Sequence, residues 1–167
     1  MTRLIWVMLA TLTLILGCAQ TGVGAAGDLI LPVKALYSSA QCGGLDQPAV
    51  VWIADPEAWR QWYGRVTSLR MEPPPPPAVD FPREGVLLIA MGQRPSAGYG
   101  LSLAGGESAT VREGMLTVLM DWREPPPGYR QAQVVTNPCL LALLPDASFN
   151  RIQILDREGR VRLEGVR

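Results

Sequence analysis

Five consecutive prolines, Pro73 to Pro77, limit what this chain can fold into more than any other feature of it. Each ring holds φ at about −65° and removes a backbone donor. Met71 to Pro82 (MEPPPPPAVDFP) is therefore excluded from helix and from any central strand, and the run takes polyproline II geometry. Such a run serves as a stiff spacer or as a ligand for an aromatic groove. As a spacer it joins the segments on either side without having to divide the chain into separate domains.

Ahead of the prolines lies the best helical pattern. Asp55 can cap it, Pro56 suits its first turn and Glu57 complements the positive end of the dipole. Ala58, Trp59, Trp62 and Val66 form an apolar stripe, with Trp59 and Trp62 expected in the core, so a helix is predicted near 56–66. Before it, Leu29 to Tyr37 reads as a strand with an edge or bend at Pro32, and Ala49 to Ala54 as a short buried strand. Ser38 to Pro48 is rich in turn formers and reads as loop.

Beyond the prolines the pattern is β. Strands are expected at Gly85 to Gly92 (GVLLIAMG), Gly98 to Leu103, Ser108 to Arg112 and Met115 to Trp122, the last two turning at Glu113-Gly114. Pro125 to Gly128 is a rigid loop. Gln131 to Thr136 and Cys139 to Leu144 read as a strand interrupted or bent at Pro138. Ile152 to Leu155 and Val161 to Leu163 read as a closing hairpin around Glu158-Gly159. The fold class expected is mostly β or α+β: a small antiparallel sandwich-like or barrel-like domain with one helix.

The N-terminus bears on compartment. Arg3 precedes an apolar run, Leu4 to Leu16, that is short for a membrane span and fits the core of a signal peptide. It closes on Ile15-Leu16-Gly17-Cys18, which resembles a bacterial lipobox and implies a signal peptide over 1–17 and a diacylglycerol on Cys18. The other reading is an ordinary signal peptide cut near Ala25-Ala26. Ala19 stands where an aspartate would retain a lipoprotein at the inner membrane, so an outer membrane facing the periplasm is expected. Residues 18–27 have the small-residue composition of a tether, and 28–167 make one domain.

In an oxidising envelope, Cys42 and Cys139 are most simply a disulfide, the alternative being two buried thiols. Their spacing gives no metal pattern. Lys+Arg and Asp+Glu are both 15, so no net field draws the chain to nucleic acid. The chain has no histidine, which removes the commonest general base and metal ligand. The one lysine, Lys34, could form a dyad with Ser38 or Ser39, but reads as a solvated strand residue. Pairs such as Asp121 and Glu124, or Asp28 and Asp46, have no spacing that sets them apart from surface charge. Gly43-Gly44 and Gly105-Gly106 are turns rather than a phosphate loop. No enzymatic activity, no cofactor, no metal and no small-molecule substrate are expected.

The stretch Met91 to Leu103 (MGQRPSAGYGLSL) is more informative. Gly92, Arg94, Ser96, Gly98 and Tyr99 fit a G-x-(R/K)-x-(S/T)-x-G-Y turn after an apolar strand. Pro125 to Pro127, then Thr136, Pro138 and Leu140 to Leu144, follow in order. Over about 85–155 this resembles the PrcB-type family, the C-terminal domain of protease-complex subunit lipoproteins. Arg94-Pro95-Ser96-Ala97-Gly98-Tyr99, Leu103 to Gly106 and Trp122 to Pro125 echo more faintly the loops of chagasin-type inhibitors of papain-like proteases. The first resemblance implies a lipoprotein accessory subunit that binds a partner, in the founding case a surface protease, without activity of its own.

The expected partners are the membrane, through Cys18, and an envelope protein. The expected contact residues are Arg94, Ser96, Gly98, Tyr99, Trp122, Arg123 and Tyr129. Trp122, at the mouth of the proline loop with Arg123 and Tyr129, reads as an exposed anchor of the kind enriched at interface hot spots. Gly98 and Tyr99 have a second reading, as a turn that packs a tyrosine on the core. The alternatives to an accessory subunit are an inhibitor using the same loops, or a structural lipoprotein with no dedicated surface.

Overall fold

The computed structural model describes residues 27–128 and 130–167. Two strands organise it: β4 (Glu84–Ala90) and β8 (Cys139–Pro145), paired antiparallel from Glu84↔Pro145 to Ala90↔Cys139. Both read as unbroken apolar runs because both of their faces are covered. In β4, Val86, Leu88 and Ala90 point one way and Leu87 and Ile89 the other. In β8, Cys139 and Leu141 share the first direction, and Leu140, Ala142 and Leu144 the second.

One face carries α1 (Pro56–Thr67). Asp55 caps it, its carboxylate accepting from the N–H groups of Glu57 (3.0 Å) and Ala58 (2.8 Å). Trp59, Tyr63 and Val66 are buried against Val86, Leu88 and Leu141, while Trp62 is only half-buried, with Arg65 stacked 5.2 Å from its ring. The proline run returns along this helix to β4. Pro77 accepts from Trp59 Nε1 at 3.0 Å, and Val79 and Phe81 pack on the same core.

The other face meets a second sheet, and the two sheets make an open sandwich rather than a closed barrel. The first sheet has the order β2-β8-β4-β3, with β2 at Lys34–Ser39 and β3 at Ala49–Ile53. The second has the order β1-β6-β7-β9-β10, with β5 also on β7. Its strands are β1 (Leu29–Pro32), β5 (Gly100–Leu103), β6 (Ser108–Arg112), β7 (Met115–Arg123), β9 (Arg151–Leu155) and β10 (Val161–Val166). Leu116, Val118, Met120, Ile152 and Ile154 fill the space against Leu87, Ile89, Leu140 and Leu144. An added Cβ at Gly85 would collide with the Trp52 ring, so that strand position has to be glycine.

Three expectations are corrected. Leu29 to Tyr37 is two edge strands, because the chain leaves one sheet after Pro32 and joins the other at Lys34. Gln131 to Thr136 is not a strand: Val134 and Val135 are half exposed, and its backbone meets the facing loop at an isolated bridge between Arg94 and Thr136 and at a single bond from Ala97 to Ala132, without a continuous ladder. The sandwich is also not wholly antiparallel, since β7 and β9 run parallel from Met115↔Arg151 to Leu119↔Leu155. Intervening β8 lies in the opposite sheet and supplies the crossover that a parallel pair requires.

Cys42 and Cys139 form a disulfide across 97 positions, with Cα atoms 6.0 Å apart and both residues fully buried. It ties the loop after β2 to the first residue of β8. A loop of that length corresponds to roughly 4–5 kcal/mol in the chain-entropy account. Replacing both cysteines by alanine is expected to lower the denaturant midpoint and, because the unfolded chain is released, to steepen the slope, with a loss of the order of 4 kcal/mol. Free thiols on the oxidised, folded protein by mass spectrometry would contradict the pairing.

Candidate functional site

The β-strands place the loops 40–48, 91–99, 124–138 and 156–160 at one end of the sandwich. The chain enters at the other end, where Asp28 lies near Arg112 and Asn150 N donates to Gly114 O (2.9 Å). At the loop end the backbone is laced across three segments. Met91 N donates to Pro138 O (2.9 Å) and Gln93 N to Asp46 O (3.0 Å). Arg94 and Thr136 exchange both backbone bonds (2.7 and 2.9 Å), and Ala97 N donates to Ala132 O (3.0 Å). Thr136 Oγ1 adds a bond to Ser96 O (3.1 Å). Gly92 has φ +78°, and a Cβ there would stand 2.6 Å from Pro48 N, so the tight approach of these loops requires glycine.

Arg94, Ser96, Gly98 and Tyr99 come together as expected, each with a structural tie. Arg94 folds back so that Nη2 donates to Met91 O (2.8 Å) and its guanidinium lies 5.6 Å from the Tyr99 ring centre. Ser96 is buried and donates to Ala97 O (3.2 Å). Gly98 has φ +96°, where glycine carries no penalty, and Tyr99 packs on the sandwich core. That is the turn-and-packed-tyrosine arrangement.

Trp122 is not the free anchor expected from its place beside the prolines. It follows Leu116, Val118 and Met120 on the inward face of β7 and pairs with Leu101, so it is half-buried on the core. Its Nε1 donates to Glu124 Oε1 (3.1 Å), and Arg162 lies 5.6 Å from its ring. Arg123 is exposed and lies over Gly100, where a Cβ would stand 2.5 Å from its Nη2. Tyr129 and Cys18 fall outside the described residues. Among the described residues no three His, Cys, Asp or Glu side chains gather as a metal site.

Sequence reading missed two elements of this end. Arg130, Gln131 and Gln133, with Ser96, Tyr99 and Pro125, line a shallow groove of about 510 Å³. The second is Asp156, which is 1% exposed and holds the β9–β10 turn. Its carboxylate accepts from the N–H groups of Glu158 (3.0 Å) and Arg160 (2.9 Å), and from Nε of Arg160 and of Arg162 (2.8 Å each). Arg162 also reaches Glu124 (3.5 Å), joining the turn to the end of β7. An aspartate just ahead of Arg-Glu-Gly is the sequence signal for such a turn.

Strands β4 to β8, with the loops 91–99 and 124–138 between them, are also where the chain compares with known proteins. Residues 86–145 match the PrcB C-terminal family. No curated protein and no solved structure matches. The matched segment spans just over a third of the 167 residues, within the 85–155 core expected from the sequence. It contains all of β8 and all but the first two residues of β4, the β6–β7 hairpin and the loops on either side of the groove. The helix, the proline run, Cys42 and the β9–β10 turn lie outside it, yet α1 and the disulfide pack directly on its strands.

Burial alone would raise the Asp156 pKa, and this largest single influence is outweighed by the Arg160 N–H and the guanidinium groups of Arg162 and Arg160, which together lower it to about 2. A carboxylate depressed below its unfolded value of about 3.9 adds stability that is complete above that pH and is lost as pH falls toward 2. Asp156→Asn is therefore expected to lower the denaturant midpoint at pH 7 and to flatten its fall between about pH 4 and 2. Parallel curves for the two proteins over that range would contradict the assignment.

Proposed function

We propose that this chain is a non-enzymatic envelope lipoprotein, anchored through Cys18, that acts as a protein-binding accessory subunit through its loop end. The partner is a protease in the case that the PrcB resemblance implies. The observation that carries this reading is one of placement. The two central strands of the segment that matches the PrcB C-terminal family are covered on both faces, so they offer no surface of their own, and the loops 91–99 and 124–138 that leave and enter them form a groove at one end. Those loops stand at the end opposite Asp28, where the chain leads back toward Cys18.

The lacing of these loops also supports the reading. Backbone bonds between Arg94 and Thr136 and between Ala97 and Ala132 fix the groove in advance, which reduces the entropy lost when a partner docks. Arg94, Ser96, Gly98 and Tyr99 act here as the frame. Arg130, Gln131, Gln133 and Arg123 supply side chains that can reach a partner.

The test is a crosslinked purification of the acylated chain from its own envelope, beside an Arg130→Glu, Gln133→Glu variant. The expected result is an active protease held by the wild type and captured at least about tenfold less by the variant, a difference of about 1.4 kcal/mol. Equal capture would discard the loop end as the surface. A captured protease that is inactive would point instead to an inhibitor using the same loops. Cys18→Ser is expected to release the chain from the membrane fraction, and retention would contradict the anchor.

A further inference from the structure

Residues 69–76 form a second surface, on the opposite side of the first sheet from the second sheet and outside the PrcB C-terminal segment. A proline run keeps its extended shape in solvent without packing against anything, so where it is displayed on a fixed base its rings are open to a partner. Only its end is packed here. Pro77 is half-buried, with its carbonyl on Trp59 Nε1, whereas Pro73 to Pro76 are exposed. The residues leading into the run are more exposed still. Met71 is 101% and Leu69 62% exposed, although both side chains are apolar.

Leu69 and Met71 stand exposed beside the prolines and add apolar surface to them. The chain is held at both ends of this stretch, by Arg70 N on Thr67 O (2.9 Å) and by Trp59 on Pro77. Four prolines are thus displayed on a fixed base. In polyproline II geometry, at three residues per turn, Pro73 and Pro76 lie on one ridge, roughly 9 Å apart. Arg70 stands three residues before Pro73, is exposed, and joins no ion pair among the described residues. The sequence from Arg70 to Pro76 therefore reads Arg-x-x-Pro-x-x-Pro.

We propose that Arg70 to Pro76 is a docking ligand for a protein domain with an aromatic-lined groove and a carboxylate at one end of it. Rings of such a groove pack between successive prolines, and the carboxylate takes the Arg70 guanidinium. The prolines are already extended and the bend at Arg70 to Glu72 is tied to the end of α1, so little chain entropy is lost on docking, and Met71 adds apolar contact. The interaction is independent of the loop end and of the partner proposed for it.

The test uses an SH3 domain that reads Arg-x-x-Pro-x-x-Pro as the probe, titrated with the intact chain and followed by the fluorescence of its groove tryptophan. Saturable binding is expected, weakened at least about tenfold by Pro73→Ala with Pro76→Ala and also weakened by Arg70→Glu. The Arg130→Glu, Gln133→Glu variant is expected to bind like the wild type, which separates this surface from the loop end. No saturable change, or binding indifferent to both the proline and the Arg70 substitutions, would overturn the proposal.

Discussion

The ladder between β4 and β8 is the interaction on which the rest of the fold depends. It joins seven residues of each strand, and nearly every side chain along it is fully buried, to α1 on one side or to the second sheet on the other. A one-residue slip would exchange the two sets, setting side chains fitted to the helix against the sheet and the reverse. The register is therefore specified twice over. Trimming one of its large residues, such as Leu88 or Leu141, would open a cavity in a layer that has no solvent-facing side onto which to relax.

That ladder also decides where the loops go. Both strands end at the same level, at Ala90 and Cys139, and the chain leaving β4 must run beside the chain arriving at β8. Met91 to Pro138, Arg94 to Thr136 and Ala97 to Ala132 are the bonds that result, and the Cys42–Cys139 disulfide fastens a third loop to the same point. Glycine at 92 lets two backbones meet without a Cβ between them, and glycine at 98 takes the positive φ its turn requires. The surface offered to a partner is thus built on backbone geometry rather than on long side chains reaching out from a strand. Asp156 adds a charged tie at the edge of this end, through Arg162 to Glu124.

Much of this was legible in the residues. Unbroken apolar runs at 85–92 and 139–144 are what doubly covered strands look like, and Asp55-Pro56-Glu57 marks where α1 begins. The turns at Glu113-Gly114 and Glu158-Gly159 gave both hairpins, and two cysteines in one domain gave the disulfide. What was not legible depends on distant partners. The parallel pairing of β7 with β9 follows from β8 crossing to the other sheet, which no local pattern records. Val134 and Val135 have the composition of a strand but find no neighbour to pair with along their length, and they remain exposed. Trp122 looked free because three prolines follow it closely, whereas the alternation of β7 turns it inward. The groove at Arg130 to Gln133 arises from a segment without regular structure, and no periodicity marks it.

The central claim is the proposal that a protein partner sits at the loop end of the segment matching the PrcB C-terminal family. Hydrogen exchange of the chain, alone and with the protein that co-purifies with it, tests this most directly. The account predicts added protection at 91–99 and 124–138, with β9, β10 and the outer side of α1 unchanged. Protection confined to those other elements, with the two loops exchanging as in the free chain, would contradict it.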